Sequence, residues 1–310
     1  MSNSKKDQIM KKNCFLNVAL LLGIVVTLSS CSGSEEVINP SSLTAPVRIQ
    51  VSDFSITMDN LCETRTRATE NPANTNIVGA LTLAFYASDG TKMYEATQLK
   101  SDASTYTTFG AFSCDLPVGS YTMVAIGRYV GSDDEFSLTS PTEAAFTSER
   151  VRETFCKTQS VTVTSTAPLD LSVTLNRIVT QLFIVSTDLR PEGVSKLRTT
   201  YSAGSKSFNP TTGLAIGNSG FSLTNNSSAA VGATIEVKNF AFLATDEQTM
   251  TITLEVLDND DNVLITKEIP NVSLKRNRKT ILRGPVFTPS ASSAFFFIET
   301  SWLDDNTINF

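Results

Sequence analysis

Residues 47–58 read VRIQVSDFSITM, and their pattern decides the fold class. Apolar and polar residues alternate along the segment, which is the pattern of a β-strand with one buried face. The phase of the alternation changes at Ser52-Asp53, and such a change predicts a β-bulge within one long strand. The apolar positions, before and after that change, are Val47, Ile49 and Val51, then Phe54, Ile56 and Met58.

The same alternation recurs along the rest of the chain, and nothing after residue 47 sustains the 3.6-residue period of a helix. One alternating set ends at Ser88-Asp89-Gly90, which is typical of a hairpin turn with glycine at positive φ. The stretch from Ile178 to Val185 is mostly apolar, as in a central strand buried on both faces. Many short strands at this spacing predict an all-β protein built from β-sandwiches.

The chain has 310 residues, enough for two domains of about 100–150 residues each. A second series of alternating apolar residues begins just after Pro168. We therefore predict an N-terminal β-sandwich over 47–167 and a C-terminal β-sandwich over 168–310.

Residues 1–30 have the features of a signal peptide. Basic residues precede an apolar stretch from Cys14 to Leu28, which is shorter than the roughly 20 residues that a membrane-spanning helix needs. The stretch ends in Leu28-Ser29-Ser30-Cys31, which matches the bacterial lipobox. We predict cleavage before Cys31 and lipidation of Cys31, with palmitate as the expected acyl chain. A plain secretory signal with a cysteine near its cleavage site is the alternative.

Residues 31–46 are rich in serine and proline, which is typical of a flexible tether. Glu35 and Glu36 follow Cys31 closely, and acidic residues there resemble the surface-export signal of Bacteroidota lipoproteins. This predicts a surface-exposed lipoprotein of the cell outer membrane. A linker that is acidic by chance is the alternative.

The composition excludes several kinds of chemistry. The chain has no histidine, so metal sites and catalytic mechanisms that need imidazole are excluded. Its net charge of -6 argues against nucleic acid as a partner. No GxSxG motif and no phosphate-binding glycine loop occur in the sequence. We therefore predict a protein that is not an enzyme, has no metal site and needs no cofactor.

Two charged clusters permit a binding interpretation. Asp258–Asn262 resembles the opening of a calcium loop, but Val263 stands where the loop needs Gly and Ile269 where it needs Glu. A solvated hairpin tip is therefore the favoured interpretation. Lys275–Lys279 suits an anion site, although five polar residues between two strands more often form a turn or protect a sheet edge.

Three cysteines remain once Cys14 leaves with the signal peptide and Cys31 is lipidated. Cys62, Cys114 and Cys156 permit at most one intramolecular disulfide, and their spacing lacks the CxxC pattern of metal and redox sites. All three also fit plain packing, because a free buried cysteine behaves as a small apolar residue.

A polar loop over residues 63–70 follows the first predicted strand and contains Arg65 and Arg67. An exposed loop of this kind is accessible to an Arg-specific protease. From the residues alone, an ordinary solvated loop is the favoured interpretation.

Together, several segments resemble the fimbrillin superfamily of Bacteroidota, the FimA/Mfa-like pilus lipoproteins. The likeness covers nearly the whole chain after the signal peptide. Its elements are the lipobox cysteine Cys31, the Arg-containing loop, ALTLAFYASDGTKMY (80–94), DLPVGSYTMVAIG (115–127), RVRETFCKTQSVTVT (150–164) followed by LNRIVTQLFIVSTDL (175–189), and IPNVSLKRNRKTILRGPVF (269–287) before Trp302.

This resemblance implies two tandem transthyretin-like β-sandwich domains and a lipoprotein that serves as a stalk, tip or anchor subunit of an adhesive fimbria. Its partners would be other fimbrial subunits, in a homo- or heteropolymer assembled by β-strand exchange. In stalk subunits of the family, an Arg-specific protease removes the first strand. Here the cleavage site would be Arg65 or Arg67. The exchangeable strand would contain Val47, Ile49, Val51, Phe54 and Ile56.

Few residues follow Trp302, so no long C-terminal donor extension is evident, which leaves a tip or anchor role open. The alternative function is a monomeric surface lipoprotein that binds glycans. The chain has one Trp and six Tyr, a modest supply of the aromatic residues that stack on sugars.

Overall fold

The computed structural model describes residues 43–56, 68–70, 76–131, 135–148, 150–289 and 297–300. In these ranges the regular structure consists of β-strands and one short 3-10 helix, Ala103–Thr105. The predicted all-β fold class is confirmed.

The strands are numbered in chain order. Those before residue 178 are β1 (Thr44–Ile56), β2 (Ala68–Glu70), β3 (Ala80–Ala87), β4 (Lys92–Leu99), β5 (Ala111–Pro117), β6 (Gly119–Arg128), β7 (Phe136–Ser140), β8 (Glu143–Phe146), β9 (Thr154–Val163) and β10 (Leu169–Arg177). Those after it are β11 (Thr180–Ser186), β12 (Lys196–Tyr201), β13 (Ser207–Asn209), β14 (Leu214–Ala215), β15 (Phe221–Asn226), β16 (Glu236–Ala241), β17 (Glu247–Leu257), β18 (Val263–Lys275), β19 (Lys279–Gly284) and β20 (Phe297–Thr300).

The N-terminal part is organised around an eight-stranded sheet in the order β2-β1-β10-β9-β6-β3-β4, with β5 also paired to β1. The register between β1 and β10 shifts between Val51 and Asp53, which confirms the predicted bulge. Gly90 has a φ of 84° in the turn between β3 and β4, as the hairpin prediction required.

The sheet is buried on both faces along β3. Leu81, Leu83 and Phe85 point into one apolar cluster, while Ala84 and Tyr86 point into another on the opposite face. The first cluster is the core of the N-terminal part. It also contains Ala45, Val47, Ile49, Val51, Leu116, Met123, Phe155, Val173 and Leu175.

The strand β10 corrects one domain boundary. The sequence predicts that the alternating residues after Pro168 belong to the C-terminal sandwich, but β10 lies in the N-terminal sheet between β1 and β9. The alternation of Leu169, Leu171, Val173 and Leu175 specifies a strand with one inward face, and it carries no information about the strand that pairs with it.

A small sheet is shared by the two parts of the chain, in the order β14-β13-β8-β7. It lies over the second apolar cluster, where three phenylalanine rings stack. The centroid of Phe242 is 4.4 Å from that of Phe208 and 6.2 Å from that of Phe146. This junction therefore takes core residues from both parts of the chain.

The C-terminal part is a sandwich of two four-stranded sheets, β16-β11-β19-β20 and β15-β12-β17-β18. Leu182 and Ile184 from the first sheet and Ile252 and Leu254 from the second share one buried cluster. The strand β11 lies between β16 and β19 and is mostly buried, which agrees with the central strand predicted there.

Candidate functional site: the slot occupied by the first strand

The strand β1 is paired along both of its edges. It runs antiparallel to β5 from Thr44 to Gln50 and parallel to β10 from Val47 to Ser55. Its last residues, Phe54 to Ile56, pair with β2. A strand between two partners has its backbone donors and acceptors satisfied on both sides. We call the position of β1 between β5 and β10 the β1 slot.

One face of β1 is almost completely excluded from solvent. Ala45 and Val47 are 0% exposed, Ile49 is 2% exposed and Val51 is 1% exposed. Burying a Val or Ile side chain contributes about 1.5–3 kcal/mol. The slot therefore holds β1 through packing as well as backbone hydrogen bonds.

The opposite face of β1 is polar. Arg48 and Gln50 are exposed, and the Arg48 guanidinium lies 3.6 Å from the Asp170 carboxylate on β10. Both side chains of this pair are mostly solvated, so the pair adds little stability. Ser52 and Ser172 share a hydrogen bond of 2.9 Å across the two strands.

Both ends of the buried segment are fastened to the sheet. The Val118 amide donates to the Leu43 carbonyl, and the Val51 amide donates to the Gly110 carbonyl, each over 2.9 Å. Gly110 has a φ of 95°, and a Cβ there would lie 3.0 Å from the Val51 carbonyl oxygen. Glycine at this position permits the close approach of the two backbones.

The predicted exchangeable residues all lie on β1. Val47, Ile49 and Val51 face the core, while Phe54 is in register with Leu175, and Ile56 with Ala68. The strand also includes Thr44, Ala45 and Pro46, which lie within the predicted tether over 31–46. A proline and a single small apolar residue gave no alternation to recognise, although Ala45 fills an inward position.

Other predicted residues lie outside the described part of the chain. These are the lipidation site Cys31, the cleavage candidates Arg65 and Arg67, Cys62 and Trp302. The two arginines belong to the segment that joins β1 to β2.

Cys114 and Cys156 are free thiols, so they form no disulfide with each other. Burial raises the pKa of Cys156 to about 12. Burial, together with the Asp115 carboxylate, raises the pKa of Cys114 to about 11. Both thiols therefore stay protonated at neutral pH, which is the state of a packing residue rather than a nucleophile.

The Asp258 segment is a hairpin tip between β17 and β18. The Asp258 carboxylate accepts hydrogen bonds of 2.9 Å from the Asn262 side chain, the Asn262 amide and the Asp260 amide. These bonds hold the pKa of Asp258 below its usual value. Within the described ranges, no group of three His, Cys, Asp or Glu residues is placed to hold a metal ion.

The Lys275–Lys279 segment is the turn between β18 and β19, which is the favoured interpretation of that segment.

Among the residues that the structure describes, no helix is long and apolar enough to span a membrane.

Comparison with known proteins places the chain in a family. A family model described as a family of unknown function, DUF6562, matches residues 45–306. The chain belongs to the DUF6562 family. The match begins at the first inward residue of β1, so the β1 slot lies within the family's common region. A search of curated proteins found no match.

Solved structures similar to this DUF6562 protein include two from Bacteroidota. A proposed adhesin from Bacteroides ovatus is 10% identical with a TM-score of 0.51, over 85% of this chain and 97% of that chain. The fimbrial anchor protein Mfa2 from Porphyromonas gingivalis is also 10% identical, with a TM-score of 0.48. The match covers 83% of this chain and 97% of the Mfa2 chain. The resemblance to the fimbrillin superfamily is confirmed as a likeness of fold.

Proposed function

We propose that this DUF6562 protein is a structural, non-enzymatic subunit of an adhesive surface fimbria. It is lipidated at Cys31, is attached to the cell outer membrane and has other fimbrial subunits as its partners. The observation that carries the proposal is the β1 slot, in which the first strand of the described residues occupies an interior position of a sheet. The Bacteroides ovatus protein with a similar fold is described as a proposed adhesin, which supports an adhesive role.

The position of β1 in the chain makes it separable from the body. The tether precedes β1, and the segment with Arg65 and Arg67 follows it, so one cut at either arginine leaves β1 held by non-covalent contacts alone. An Arg-specific protease is therefore the expected processing partner.

Loss of β1 creates an acceptor for another strand. The facing edges of β5 and β10 lose their backbone partners, and core residues such as Leu116 and Leu175 lose their apolar cover. A strand from a second subunit restores both if it carries small or β-branched residues at four alternate positions, as β1 does. Subunits joined in this way form a polymer.

Cleavage and assembly are tested on the purified precursor. The precursor is incubated with an Arg-specific protease, its fragments are weighed by mass spectrometry and the products are inspected by electron microscopy. We expect cleavage after Arg65 or Arg67 followed by fibres. The control is the double variant Arg65→Lys/Arg67→Lys, which keeps the charge of the loop and should stay intact and unpolymerised. Cleavage without fibres, or no cleavage, would remove the stalk-subunit version of the proposal.

A tip or anchor subunit needs no cleavage, so the wider proposal is tested in the host. Deleting this chain should reduce, shorten or detach the surface fibres seen by electron microscopy, and restoring it should reverse the change. Fibres that are unchanged in number, length and attachment would contradict every fimbrial role.

A further inference from the structure

A cavity of about 530 Å³ lies beside the turn between β18 and β19. Its volume falls in the range of about 300–1,000 Å³ that is usual for small-molecule sites. Its wall is formed by residues of β9 and β10, the loop after β13 and the turn itself. Four basic residues line the cavity, namely Lys157, Arg177, Arg276 and Arg278. Asp246 is the one carboxylate among the described residues that line it.

The turn that supplies two of these arginines is rigidly held. Its residue Asn277 has a φ of 58°, and its backbone is fastened to β11, to the residue before β11 and to the loop before β17. The fastening bonds are Asn277 amide to Val179 carbonyl (2.8 Å), Arg276 amide to Asp246 carbonyl (2.8 Å), Gln181 amide to Arg278 carbonyl (3.0 Å) and Thr180 hydroxyl to Arg278 carbonyl (3.3 Å). The cationic wall is therefore part of the folded structure.

Two of the four cations are already engaged within the protein. The Arg177 guanidinium lies 2.7 Å from the Glu153 carboxylate and donates to the Asn277 side-chain oxygen over 3.2 Å. The Arg276 guanidinium lies 2.6 Å from the Asp246 carboxylate and donates to the Thr212 carbonyl over 2.9 Å.

The other two cations have no such partner. The side chains of Lys157 and Arg278 are half-buried and make no hydrogen bond or ion pair with any residue that the structure describes. Bringing cations together at a partly desolvated wall costs free energy, which a bound anion recovers. This concentration of positive charge occurs in a chain whose net charge is -6.

The shape and chemistry of the cavity indicate the class of ligand. Lysine and the planar fork of arginine are the side chains that bind phosphate and sulfate groups, through charge-assisted hydrogen bonds. Ile178 and Pro210 add apolar surface to the wall, and the volume exceeds what a bare inorganic ion needs. None of the described lining residues is aromatic, so neutral sugars would find no ring on which to stack.

We infer that this cavity binds a sugar-sized ligand that carries a tetrahedral oxyanion, in the form of a sulfate or phosphate ester. Lys157 and Arg278 would contact the oxyanion, and Arg177 and Arg276 would contribute positive potential from their fixed positions. The inference concerns a different surface from the β1 slot and does not depend on fimbrial assembly.

The test is calorimetric titration of the purified full chain with glucose 6-sulfate, glucose 6-phosphate, inorganic sulfate and unmodified glucose. We expect at least one ester to bind more tightly than inorganic sulfate, glucose not to bind, and added salt to weaken the binding. The ester that binds more tightly identifies the source as sulfated or phosphorylated sugars.

The decisive variant is Lys157→Gln/Arg278→Gln, which should lower the affinity about tenfold or more because charge-assisted hydrogen bonds are lost. The matched control is Arg48→Gln/Arg283→Gln, which makes the same charge change at exposed positions outside the cavity wall and should leave the affinity unchanged. Circular dichroism confirms that both variants fold.

Three outcomes would overturn the inference. They are no binding of either ester to the unmodified protein, inorganic sulfate binding as tightly as the esters, and an equal loss of affinity in the test and control variants.

Discussion

Ile49 and Arg48 are adjacent in the sequence but have opposite environments in β1. Ile49 is 2% exposed in the core, whereas Arg48 faces solvent. We predict that Ile49→Ala lowers the free energy of unfolding by about 2–5 kcal/mol, because it leaves a cavity in the core. Arg48→Ala, the control, should change it by less than about 0.5 kcal/mol. Urea denaturation followed by circular dichroism measures both, and equal effects would show that β1 is not packed in the slot.

The thiol of Cys156 provides a second test at this scale. Its pKa is raised to about 12 by burial, so at about pH 8 it is protonated as well as inaccessible. We predict that iodoacetamide leaves Cys156 unmodified in the folded protein, modifies the half-buried Cys114 slowly, and modifies both once the protein is unfolded in guanidinium chloride. Peptide mass mapping identifies the modified residues. Rapid alkylation of Cys156 in the folded protein would contradict its placement in the core.

At the scale of one element, removal of β1 leaves two neighbouring strands and part of the core without a partner. Deleting residues 44–56 opens the slot and exposes the edges of β5 and β10 together with apolar core. We predict that the deleted chain aggregates and that a synthetic peptide of residues 43–56 keeps it soluble by occupying the slot. Size-exclusion chromatography measures the soluble fraction, and a fluorescent label on the peptide measures its binding.

Two peptide variants serve as controls for this experiment. Arg48→Ala changes the solvent face and should bind like the original peptide, whereas Ile49→Asp would bury a carboxylate and should not bind. A deleted chain that remains a well-behaved monomer without peptide would count against strand exchange.

At the scale of the whole molecule, the junction couples the two parts of the chain. The small sheet takes β7 and β8 from one part and β13 and β14 from the other, and Phe208 lies in the cluster beneath it with 0% exposure. We predict that the folded chain unfolds in a single transition, because the cluster beneath this sheet takes buried residues such as Phe146 and Phe242 from both parts. Phe208→Ala should lower the free energy of unfolding by about 3–5 kcal/mol and shift the whole transition.

Scanning calorimetry checks this by comparing the calorimetric and van't Hoff enthalpies of unfolding, which agree for a two-state transition. Two separate transitions, only one of them sensitive to Phe208→Ala, would show that the parts fold independently.

Several features of this protein follow from the sequence by itself. The alternation in residues 47–58 established the first strand and its bulge, Ser88-Asp89-Gly90 established a hairpin, and the apolar run from Ile178 established the central strand β11. These features are local, because side chains on a strand alternate between its faces and glycine is suited to positive φ. Pattern alone therefore sufficed for the fold class and for the inward residues Val47, Ile49 and Val51 of β1, although not for Ala45.

Only the tertiary structure decided which strands pair and which distant residues meet. It placed β10 beside β1, and it brought Lys157 to the same cavity as Arg278. The physical reason is that backbone hydrogen bonds are alike for every residue, so alternation specifies a buried face without specifying a partner. The β1 slot and the cationic cavity both arise at contacts between segments far apart in the chain, and no spacing in the sequence encodes them.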